Sequence, residues 1–144
     1  MNHINKDHFT HTHTYTGYGL DIPIFTKLYD FYNLLTHAIS SFPKTKRYTL
    51  GQKLDKIVLA SLELLLSVPS SENKLNSLKI LSVKIDLLKV FLRLAKDNQC
   101  LREKDYLSLQ TNLQEIGRML GGWIRKTENP TDKKLSQEPT SSSH

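Results

Sequence analysis

"SLKILSVKIDLLKVFLRLAKD", residues 77–97, carries two hydrophobic repeats where one helix of a small bundle needs only one. Leu78, Leu81, Ile85, Leu88, Leu92 and Ala95 step by threes and fours and form a clean helical seam. Ile80, Val83, Leu87, Val90 and Leu94 repeat the step, displaced by two residues. At about 100° per residue the two seams lie on well-separated faces, and only a wedge with Lys79, Asp86, Lys89 and Arg93 is left for water. One seam is expected to pack the protein's own core. The other, Ile80 to Leu94, is expected to pack another subunit. The alternative is a helix more buried than its neighbours.

Working outward, the chain reads as four helical segments with short connections and no convincing strand. A first helix is expected from Pro23 to Phe42, with Asp21 as N-cap and Pro43 as terminator. Its stripe is Leu28, Phe31, Tyr32, Leu35, Ala38, Ile39 and Phe42. A second is expected to start after Thr49 as N-cap and to end at Val68, with Leu50, Leu54, Ile57, Val58, Ser61, Leu65 and Val68 inward. The third spans about 72–98 and the fourth about Lys104 to Arg125. Short loops join antiparallel neighbours, so the expected fold over 22–126 is an all-α, up-down-up-down four-helix bundle. Residues 1–21 and 127–144 lack the apolar matter to offset ordering entropy and are expected to be disordered tails.

Composition narrows the function classes. The chain has 144 residues, a net charge of +6 and a pI near 9.4. Residues 22–126 hold seventeen Lys and Arg against nine Asp and Glu, a net of +8, so the expected bundle is more basic than the whole. Such a surface suits polyanions, nucleic acid first. The candidate binding cations are Lys44, Lys46, Arg47, Lys53 and Lys56 around the first expected loop, "FPKTKRYTLGQKLDK" (42–56). The loop before Lys104 should bring Lys96 and Arg102 to the same end. At the far end Arg118 and Arg125 share a helix face, with Lys126 beside them.

Other classes find no support. Cys100 is the single cysteine, which excludes an intrachain disulfide and suits a reducing cytoplasm. The first twenty residues are polar, unlike a signal peptide. The greasiest run, 57–68, is interrupted by Glu63 and too short to span a membrane. There is no phosphate-cradling glycine loop and no nucleophile or zinc-protease motif, so no catalytic residue and no cofactor is expected. The histidines His3, His8, His11 and His13 lie in an expected tail that cannot hold metal geometry, so no metal site is expected. His37 reads as a partly buried packing residue.

The stretch "EIGRMLGGWIRK", 115–126, spends glycines inside a helix, each costing about 1 kcal/mol against alanine. Gly117 and Gly121 share a face and would admit a neighbouring backbone. Trp123 would anchor the bundle end beside Ile116 and Leu120.

Together, "FPKTKRYTLGQKLDK" and "LQEIGRMLGGWIRK" (113–126) resemble the signature segments of the accessory variability determinant (Avd) proteins of diversity-generating retroelements. These belong to a wider group of four-helix bundles that includes proteins encoded in 23S ribosomal RNA intervening sequences. The resemblance covers about 23–126. It implies a homopentameric barrel without a catalytic centre that binds RNA, with DNA as a further option. It also implies association with the retroelement's reverse transcriptase during mutagenic retrohoming. The alternative is a free-standing RNA-binding or structural bundle of the intervening-sequence type.

Overall fold

The computed structural model describes residues 22–130. The expected cap Asp21, the tail histidines and residues 131–144 lie outside the described residues. Four long helices run in sequence: α1 (Pro23–Ser40), α2 (Gln52–Ser67), α3 (Lys74–Asp97) and α4 (Glu103–Glu128). No strand occurs among the described residues. Each helix packs against its two chain neighbours, and α1 closes the ring of four by packing on α4. Short connections and this adjacency make an up-down-up-down four-helix bundle.

Each helix end has a local cause. Pro23 opens α1, where its missing N–H costs nothing. After Ser40 the Ser41 and Phe42 amides turn back to the carbonyls of Ala38 and Ile39, and Pro43 prevents continuation. Asn73 caps α3 by accepting a hydrogen bond from the Asn76 amide at 3.0 Å. That helix ends at Asp97, and just beyond it Gln99 takes a left-handed conformation with φ 59°. In α4 Glu103 and Asp105 occupy the first turn and Arg125 and Lys126 the last, each sign suited to its end of the helix dipole. The helix runs on to Glu128, three residues beyond the expected Arg125.

The core is built from the anticipated stripes. Leu28, Phe31 and Leu35 of α1 meet Leu54, Val58 and Leu65 of α2. Leu78, Leu81, Ile85, Leu88, Leu92 and Ala95 are buried, and Leu109, Leu113, Ile116 and Leu120 complete the interior. Ser61 is the one buried polar side chain among the described residues, and its hydroxyl donates to the Ile57 carbonyl at 2.7 Å.

The entry to α2 corrects the sequence reading. Residues 44–56 were expected to begin as a loop capped by Thr49; instead the backbone is helical from Lys44. A turn at Lys44–Lys46 leads into a π-helical segment, Arg47–Gly51, which continues directly into α2. Thr49 is no cap, since its hydroxyl donates backward to the Thr45 carbonyl at 3.1 Å. Gly51 sits where this segment meets α1. A Cβ there would lie 2.9 Å from Ile39 Cγ2, so any side chain would have to push against the Ile39 side chain.

Arg47 belongs to the same junction. Its Nη2 donates to the carbonyls of Ser40 at 3.1 Å and Phe42 at 3.3 Å, closing the C-terminus of α1. Its guanidinium is thereby committed to the fold.

Gly51→Ala is therefore expected to lower stability by about 1–2 kcal/mol, overpacking against Ile39 outweighing the helix-propensity gain. At Gly121 the added methyl would meet only the tip of the Arg125 side chain at 3.5 Å. Gly121→Ala should raise stability by about 0.5–1 kcal/mol. Thermal unfolding of the two variants checks this; equal shifts would mean that Ile39 yields freely.

Candidate nucleic-acid and assembly surfaces

The second seam of α3 faces outward. Ile80, Val83, Leu87, Val90 and Leu94 are between 41% and 59% exposed in the isolated bundle, while the first seam is buried. Five apolar side chains in one helical row form a contiguous patch of the kind soluble monomers rarely present.

A second apolar face was not anticipated. The Asp55 carboxylate facing the Tyr32 hydroxyl raises that phenol above its ordinary value through hydrogen bonding, and partial burial adds to it. α1 and α2 pack along each other, with Tyr32 and Asp55 each half-buried. On α1 the edge continues through Tyr29 and Phe25, whose rings are 6.2 Å apart. On α2 it continues through Leu59, Leu62 and Leu66, at helical spacing from Asp55. Tyr29, Leu59 and Leu66 are all exposed. None of these side chains belongs to the expected inward stripes, and α2 is apolar around much of its circumference.

The basic residues divide into paired and unpaired groups. Lys96 pairs with Glu103 at 3.1 Å and also lies over the Tyr106 ring, 4.8 Å from its centroid. Arg102 pairs with Asp105 at 2.8 Å. Both residues lie beside the C-terminal end of α1, as expected, sharing a shallow groove with Ala38 and Ser41. Arg118 and Lys27 both reach Glu115 Oε1, each at 3.7 Å, so that carboxylate offsets part of their charge.

By contrast Lys44, Lys46, Lys53 and Lys56 are exposed and make no ion pair with any described residue. Arg125 and Lys126 are likewise unpaired among the described residues. Arg47, expected among the binding cations, is instead the α1 clasp described above.

Two further expectations change. Gly117 and Gly121 do not admit a neighbouring backbone within the chain. Their nearest outside atoms are side-chain tips, Lys89 Nζ at 3.4 Å and Arg125 Nη1 at 3.5 Å. Trp123 packs half-buried against the core, as expected, and lines an apolar groove with Ile22, Pro23, Ile24 and Met119. His37 is exposed rather than packed.

No group of three or more His, Cys, Asp or Glu is placed to hold a metal ion among the described residues. No described helix is long and apolar enough to cross a membrane. Among known proteins, the model of the bAvd-like family matches residues 23–127. A comparison with curated proteins gives no match.

Proposed function

The chain belongs to the bAvd-like family and is an Avd-type protein, and from that premise we propose that it is a non-enzymatic accessory protein of a diversity-generating retroelement. It acts in the cytoplasm as a basic homo-oligomeric scaffold that binds reverse transcriptase and its template RNA, and the cDNA made from it. The observation that carries this reading is the coexistence, on one bundle, of uncovered apolar faces and an unpaired group of lysines.

Assembly is the first half of the role. The α3 seam is apolar enough that its burial, at about 25 cal/mol per Å², supplies the drive for a stable homomer. The Tyr29–Leu59–Leu66 face is a different surface, and two unlike faces suit head-to-tail closure into a ring rather than a two-fold dimer. A pentamer is the ring proposed, from the family resemblance. Nucleic-acid contact is the second half. In a ring each lysine group recurs by symmetry, so a modest local charge becomes a belt that attracts phosphates.

The test is co-expression with the reverse transcriptase of the same retroelement, followed by affinity capture and cDNA synthesis on the template-repeat RNA. Capture of the polymerase, with synthesis dependent on this chain, is the expected result. Binding to RNA without capture or dependence would favour a free-standing RNA-binding bundle.

A further inference from the structure

Tyr48 is 64% exposed, the highest value among the exposed large hydrophobic side chains described. It takes no part in the core cluster, nor is it among the partly buried side chains packed on it. A tyrosine held in a helical segment with its ring in water needs another explanation than packing.

Its position supplies one. Tyr48 lies in the π-helical segment Arg47–Gly51. Lys44 precedes it by four residues, one helical turn. In a π turn the positions four and five residues on straddle the next turn, so Gln52 and Lys53 flank Tyr48 on the other side. Lys56 lies one turn further along the same outward face. The result is a column of about three turns with lysines above and below one exposed aromatic ring. An ordinary α-helical register would rotate Lys53 away from that column, so the π insertion is what assembles it.

This chemistry matches one class of ligand. Lysines flanking an aromatic ring can hold phosphates while the ring stacks on a base, and a base is free to stack only in a single strand. Duplex DNA or RNA would engage the lysines alone. We infer that Tyr48 is a base-stacking residue and that the Lys44–Lys56 column prefers single-stranded over double-stranded nucleic acid. This rests on the nucleic-acid reading given under Proposed function.

The experiment measures binding of the full chain to a labelled 20-nucleotide oligo-uridine RNA and a labelled 20-base-pair mixed-sequence duplex, across a salt series. Tyr48→Ala is expected to weaken RNA binding about tenfold, leave duplex binding within about twofold and leave the salt dependence of both unchanged. Tyr48→Phe should bind like the unaltered chain, because stacking needs the ring and not the hydroxyl. Equal weakening toward both probes, or no weakening toward RNA, would overturn the stacking role. Lys53→Glu with Lys56→Glu separates the two layers of the argument. If that variant binds both probes normally, the lysine column is not the nucleic-acid surface and both readings fail there. If it weakens both while Tyr48→Ala weakens neither, only the inference about Tyr48 fails.

Discussion

Lysine at both Val83 and Leu87 is expected to convert the proposed homo-oligomer to folded monomers. In the isolated bundle these side chains are 59% and 41% exposed, so each new ammonium reaches water without disturbing the core. Lysine is also a better helix former than valine. Monomer stability should therefore move by no more than about 0.5 kcal/mol, as for ordinary surface substitutions. In an assembly that buries the α3 seam, the same lysines would have to leave water without a partner. The penalty would be several kcal/mol for each and would recur at every interface of the proposed ring. Size-exclusion chromatography with light scattering reads the dissociation and far-UV circular dichroism reads retained helix. Loss of helix together with loss of assembly would place these two residues in a structural role within the bundle.

The second large effect concerns charge. Lys53→Glu combined with Lys56→Glu is expected to lower affinity for nucleic acid at least tenfold, about 1.4 kcal/mol. If both lysines neutralise phosphates, the slope of log affinity against log salt should also shrink by roughly 1.4–1.8. Arg118→Glu combined with Arg125→Glu should do less, by about threefold. Arg118 already shares Glu115 with Lys27, so its charge is partly offset before any ligand arrives. Filter binding or fluorescence anisotropy over a salt series distinguishes the two pairs. A larger loss from the arginine pair would move the nucleic-acid surface to the C-terminal end of α4.

The bundle was legible in the sequence because its information is periodic. The two seams of α3 separate on a helical wheel, and their burial and exposure in the fold follow that separation residue by residue. The α1–α2 junction was not legible, for reasons that lie in the backbone. A π turn breaks the 3.6-residue period, so Lys44 to Thr49 looked like a loop leading to a capped helix. Arg47 looked like one more surface cation because its partners, the carbonyls of Ser40 and Phe42, carry no sequence signal. Gly51 was overshadowed by the glycines of 115–126, yet it alone of these meets a rigid neighbour in Ile39. The motif T-L-G-Q did contain the clue, since a glycine between two helical stretches often marks close approach. The Tyr29–Leu59–Leu66 face needed to know which edges of α1 and α2 adjoin, and a single sequence does not state that.

The most direct test of the central claim is native mass spectrometry of the full chain at micromolar concentration, alone and with the 20-nucleotide RNA. The account predicts one dominant closed homo-oligomer that retains its subunit number when RNA is bound, and that disappears with Val83→Lys and Leu87→Lys. Monomer as the only species, with or without RNA, would contradict it.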